Sequence, residues 1–194
     1  MIDKLAQFFL FFDQIPFVIC FILFGFICRD KKIFYQATCL MLVNIILKDA
    51  LKHFFQVPNP PYSLFAYPSG HMQMATALYG WLGLHTNNRA LQALTVILLA
   101  GVGTSLVYFG YHTWMDVAGA VCFVGITFCC YQILLIQKIK NLGLIQILVS
   151  SCALFYIGTH GVITQDVWIF FCALVLFVMA RFLSLLLRID QISV

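Results

Sequence analysis

Glutamate is absent from this sequence, and charge of either sign is scarce: 9% of the 194 residues are Asp, Glu, Lys or Arg. A soluble domain carries roughly a quarter charged residues, so the scarcity excludes water as the main solvent. The acidic residues are all aspartates, seven of them, and they form no cluster. That excludes the oxygen-rich cage that a hard cation needs. The eight cysteines (20, 28, 39, 122, 129, 130, 152 and 172) show neither zinc-ligand nor thioredoxin spacing. They lie in apolar runs and read as small buried hydrophobes. No repeat, low-complexity segment or signal-peptide cleavage pattern is visible. The net charge of +4 speaks to membrane orientation and gives no reason to expect a nucleic-acid partner.

What the chain has in abundance is apolar surface, 63% of its residues. Runs of about 17–25 apolar residues recur along it, each long enough to cross a bilayer as a helix. The candidate spans are 5–28, 33–55, 71–85, 90–109, 113–136, 142–156 and 167–187. The expected fold is all-α, a polytopic transmembrane helical bundle of about six to seven spans, in one integral-membrane domain over 1–194. Asp13, Gln14 and Pro16 interrupt the first run. Residues 5–15 therefore either span or lie at the surface ahead of a short span from Pro16.

The loops sort by charge. Arg29, Lys31 and Lys32, then Arg89, then Lys138 and Lys140, then Arg188 mark alternate connections. The intervening loops, around 56–70, 110–112 and 160–166, contain no Lys or Arg. Basic loops stay in the cytoplasm, so the uncharged ones are expected outside. The absence of a targeting tail fits a bacterial inner membrane.

Ionisable groups at membrane depth are costly and usually functional. Lys48, Asp49, Lys52 and His53 fall on the outer half of the second span, His71 opens the third, and His112 and Asp116 open the fifth. His112 and Asp116 are four residues apart, neighbours on a helix face if the helix has begun by His112. A carboxylate there takes the Nδ1 proton and leaves Nε2 as a free lone pair; a purely structural His–Asp pair has the same spacing. Pro68-Ser69-Gly70-His71 reads as a helix start with Ser69 as N-cap, whose free amides suit an anion or simply begin an ordinary helix. Lys48 and Lys52 share a helix face, and lysines near a span end also snorkel to headgroups.

Three stretches, "KHFFQVPNP", "PSGH" and "SLVYFGYHTWMD", together resemble the three motifs of the type-2 phosphatidic acid phosphatase superfamily: K-x6-R-P, P-S-G-H and S-R-x5-H-x3-D. Lys52 and Pro60 match the first, Pro68 to His71 the second, and Ser105, His112 and Asp116 the third. The resemblance covers a phosphatase-like core of about 16–137, followed by two further spans over about 142–187. It implies a phosphohistidine mechanism: His112 attacks phosphorus, Asp116 orients it, and His71 protonates the leaving alcohol. The substrate it implies is a lipid phosphate within the bilayer, and no cofactor or metal.

Two positions depart from the family. Its arginines should fall at Asn59 and Leu106, and neither residue carries a cation. The phosphate would then be held by Lys52, Lys48, the Ser69 and Gly70 amides and Asn59. Fewer cations suit a singly charged diester better than a monoester of about −1.5 to −2. A phospholipid headgroup transferase with sphingomyelin-synthase-like chemistry is therefore an alternative to a phosphatase, and a non-catalytic lipid-binding member is a second.

Overall fold

The computed structural model describes residues 2–59, 62–139 and 141–190. Pro60 and Lys140, and the side chains of Asn59 and Arg188, lie outside the described residues. The chain forms a polytopic helical bundle. In order, the elements are α1 (Ile2–Phe11), α2 (Ile15–Cys28), α3 (Lys31–Phe55), the short strands β1 (Pro58–Asn59) and β2 (Tyr62–Phe65), α4 (Gly70–Ala75), a π turn (Thr76–Gly80), α5 (Trp81–Leu84), α6 (Arg89–Tyr108), α7 (Trp114–Ile136), α8 (Leu142–His160) and α9 (Gln165–Asp190).

Helix starts follow from short polar side chains placed to take the first free amides. Asp30 accepts from the Lys32 amide at 2.8 Å, and Asn88 from the Ala90 amide at 2.9 Å. Thr113 and Asp116 form a reciprocal capping box at the start of α7. Five helices (α3, α6, α7, α8 and α9) are long and apolar enough to cross a membrane, and the pair α1 and α2, bent by 52°, makes a sixth if taken as one broken span. The chain from Gly70 to Leu84 is about 22 Å long at 1.5 Å per residue. That is short of the roughly 30 Å hydrocarbon core, so the third expected span is a shorter central helix.

This central helix is enclosed rather than lipid-facing. Ala77, Leu78 and Trp81 are fully buried, as is Gln73. Alongside it runs α3, buried from Gln36 to Ile46. Buried Asn44 donates from Nδ2 to Thr127 Oγ1 at 3.1 Å, tying α3 to α7 through a polar contact of the kind that joins helices in lipid. The outer helices carry large exposed apolar side chains, among them Ile97, Ile126, Phe155 and Leu176. Seven of the eight cysteines are exposed as well, with Cys39 alone buried. The expectation that the cysteines are buried is corrected: on a membrane bundle an apolar residue finds its solvent in lipid. β1 and β2 pair antiparallel, Pro58 opposite Phe65, and the Ala66 amide extends the ribbon by donating to the Val57 carbonyl at 2.9 Å.

Candidate active site

At the end of the bundle where α3, α6 and α8 finish and α4 and α7 begin, the three motifs meet. Their local geometry follows from the sequence between them. α6 ends in a Schellman turn. The Tyr111 amide donates to the Leu106 carbonyl at 3.0 Å and the Gly110 amide to the Val107 carbonyl at 3.0 Å. Gly110 takes φ +70°, a conformation that glycine adopts without penalty. The His112 amide also donates to Leu106 O, at 3.3 Å. The seven-residue interval from Ser105 to His112 is thus the length of one helix terminus plus its reversal.

His112 precedes the cap of α7, so the helix has not begun at His112 and the expected i, i+4 helix-face pair takes a different form. His112 Nδ1 lies 3.6 Å from Asp116 Oδ2, an ion-pair distance with no hydrogen bond. Asp116 Oδ2 instead accepts from the Thr113 amide at 2.8 Å and the Thr113 hydroxyl at 2.9 Å. His112 Nδ1 is buried without a hydrogen-bond partner among the described residues. Burial pushes the His112 imidazole below its ordinary value. Asp116 opposes this, while Lys52 and His71 lie close enough to add to it.

The second motif is fastened to the third. The Ser69 amide donates to the Asp116 backbone carbonyl at 3.1 Å, and the Ser69 hydroxyl caps α4 by accepting from the Met72 amide at 3.4 Å. The Ser69 amide, assigned to the phosphate on sequence, is therefore already engaged in this structure. Tyr67 packs edge-on against Phe55, with ring centroids 5.0 Å apart, and lies over Gly119 so closely that a Cβ there would overlap its ring. Gly70 is flanked by the Lys48 stem: a Cβ would sit 2.8 Å from Lys48 Cδ. Lys48 Nζ in turn lies 3.7 Å from Asp49 Oδ2. His53 turns the other way, against Gly161 and Phe65.

The arginine positions diverge. Leu106 is 1% exposed and belongs to the apolar core; its carbonyl, not its side chain, serves the site. Arg29, Arg89 and Arg181 stand toward the far end of the bundle, Arg181 with its guanidinium 4.5 Å from the Tyr35 ring. Beside His112 and Asp116 a cavity of about 620 Å³ opens, lined chiefly by Phe55, Val57, Pro58, Tyr67, Tyr111 and Met115.

Sequence reasoning missed one residue. Asp13, in the break between α1 and α2, places Oδ2 2.5 Å from His71 Nδ1. In the sequence it stands out only as an interruption of an apolar run. An ionisable residue inside an apolar run is itself a functional signal, and that signal was in the sequence. Among the described residues no group of three or more metal-ligating side chains gathers.

The fold defines a polytopic integral-membrane protein, with His112 and Asp116 at the wall of a largely apolar recess. The family model of the PAP2 superfamily matches residues 32–141. That is more than half of the chain, and the chain belongs to this superfamily. Neither a curated protein nor a solved structure matches it. Membership supports a phosphatase-like function directed at phosphoesters, and α1, α2, α8 and α9 lie wholly outside the matched region.

Proposed function

We propose that the protein is an integral-membrane phosphohydrolase acting on lipid phosphate esters through a phosphohistidine, with its site on the extracytoplasmic face of a bacterial inner membrane. The observation that carries the reading is the setting of His112. It stands on a hydrogen-bonded helix-terminus turn beside a buried carboxylate, with Lys52 and His71 in electrostatic reach and an apolar cavity alongside. Burial favours the neutral imidazole, the form that attacks. His112 Nε2 attacks phosphorus and the P–O bond to the lipid alcohol breaks as His71 protonates the departing oxygen. Lys52, Lys48 and the Gly70 amide offset charge on the remaining oxygens. Water then attacks phosphorus and releases His112. The side of the membrane rests on the alternation of basic and uncharged loops.

A second reading, transfer of a phosphodiester headgroup between lipids, draws support from the charge inventory. Two lysines face three aspartates (Asp13, Asp49 and Asp116), and no described guanidinium reaches the site. One assay separates the readings. The purified protein is offered lipid phosphomonoesters and phosphodiesters, with and without an acceptor alcohol. Release of free phosphate that His112→Ala abolishes supports hydrolysis. A new lipid formed without phosphate release supports transfer. An active His112→Ala protein, or no turnover of any phosphoester, overturns both.

A further inference from the structure

We infer that Asp13 is the positioning residue of His71, so that the bend between α1 and α2 forms part of the catalytic apparatus although it lies outside the family-matched region. The inference rests on the reading of His71 as proton donor. Asp13 is one of seven acidic residues in the chain, and its side chain is 3% exposed. A carboxylate that deep is costly unless it is paired. Its partner is His71, whose Nδ1 lies against Oδ2 while the histidine side chain as a whole stays 64% exposed. One ring nitrogen is therefore held inside the protein and the other is left to the open side.

The bend that delivers Asp13 is built for that register. The Asp13 amide donates to Leu10 O at 3.1 Å and the Gln14 amide to Phe11 O at 3.2 Å, closing a tight turn. The Tyr79 hydroxyl donates to the Phe12 carbonyl at 2.6 Å. His71 and Tyr79 both belong to the central helix, Tyr79 on its π turn, a local distortion common at functional sites. One helix thus grips adjacent residues of the bend at two points. On the other side Phe9 packs so closely on Gly101 of α6 that a Cβ there would overlap its ring.

The chemistry follows from which nitrogen carries which proton. A carboxylate facing Nδ1 keeps the Nδ1 proton, so the proton given up is the one on Nε2. As the P–O bond breaks, its electron pair goes to the leaving oxygen and the Nε2 proton follows. His71 is left neutral, with Nδ1–H still on Asp13. Its Nε2 lone pair then takes a proton from the water that attacks the phosphohistidine, as the P–N bonding pair returns to His112. The other charged groups near Asp13 and His71 are Lys48 and His112. Neither accepts a proton from His71 Nδ1 among the described contacts.

A simple tether between helices would show the same contact, so the test must read proton placement. In ¹⁵N-histidine NMR spectra of the detergent-solubilised full chain, the His71 signal, assigned by its loss in His71→Gln, should show Nδ1 protonated and Nε2 not in the neutral ring. Asp13→Asn should abolish that preference. In turnover, Asp13→Asn should cost at least about tenfold more on a phosphate ester with an alkyl alcohol leaving group than on a p-nitrophenyl ester. The nitrophenolate leaves without a proton, and general acid catalysis contributes about 10²–10⁴-fold only where one is needed. Equal losses on both esters in a folded variant, or a wild-type His71 that carries its neutral-ring proton on Nε2, overturn the inference. Should Asp13→Asn not fold, the wild-type spectrum decides. Should the wild type turn over no phosphoester, the functional reading falls while the spectrum still decides whether Asp13 sets the tautomer.

Discussion

At the residue scale His112 stands between opposing influences. Burial disfavours its cation and Asp116 favours it, with burial the larger. The pH profile of kcat/KM should show this directly, because its acid limb reports the proposed nucleophile in the free enzyme. The limb should fall below the ordinary histidine value of about 6.5, since the neutral ring survives further into acid. Asp116→Asn removes the one influence that raises it, so the limb should move lower still as the rate drops. A limb that moves upward in Asp116→Asn would show that the carboxylate does not face the imidazole. Leu106 gives a second residue-level test. Charge matching suggests that restoring arginine there would favour monoesters, yet the side chain is in the core. Burying an unpaired guanidinium costs several kcal/mol. Leu106→Arg should therefore melt well below wild type, while the volume-conserving Leu106→Met stays within about 1.5 kcal/mol. A Leu106→Arg protein as stable as wild type would mean that its guanidinium escapes the core toward the site.

Elements bring these residues together, and the first turn of α7 bears most of that task. It carries Asp116 in its capping box, its backbone receives the Ser69 amide, and Gly119 one turn on makes room for Tyr67. Gly119→Ala sets two effects against each other. Alanine in a helix interior is favoured over glycine by about 1 kcal/mol, whereas overpacking costs about 1–3 kcal/mol. The nearest atoms belong to a ring already packed on Phe55 and Phe123, so the clash should win. Tyr67 must shift, and with it the adjoining Pro68-Ser69-Gly70-His71. Turnover of Gly119→Ala should fall more than its melting temperature suggests, a comparison that a paired activity and unfolding measurement makes. Full activity would show that the Tyr67 ring has room to yield. Much at this scale was legible in the sequence. Ser69 reads as an N-cap because serine competes for free amides, and the structure uses it so. The β1–β2 ribbon was not legible, because four prolines between 58 and 68 mask a strand pattern. Nor was Asp13 as a partner of His71. Its role depends on a 52° bend between two helices, and no local pattern encodes which distant side chain a bend will face.

Across the whole molecule, hydropathy located the helices well because lipid demands that every backbone group be satisfied within its own segment. The same rule left burial unreadable, since core-facing and lipid-facing residues are equally apolar; Cys39 is buried while Cys129 and Cys130 are exposed. Direction across the membrane rests on charge instead, and α6 is the best place to test it. Its 20 residues from Arg89 to Tyr108 extend about 30 Å, the thickness of the hydrocarbon core. The two ends must then lie in opposite interfaces. Tyr111 is 47% exposed just beyond the end near His112, and Arg89 is exposed at the start. In a background without the eight native cysteines, a membrane-impermeant maleimide added to sealed cells should label Tyr111→Cys and spare Arg89→Cys until the cells are opened. The loop charges demand that outcome, because Arg89 lies in the set of connections that carries Lys and Arg and Tyr111 in the set that carries none. Since His112 adjoins Tyr111 in the chain, the label also reports which compartment would supply water to the proposed phosphohistidine. The reverse pattern, Arg89→Cys labelled from outside and Tyr111→Cys protected, would place the site on the cytoplasmic face and turn the proposed substrate into a lipid of the inner leaflet.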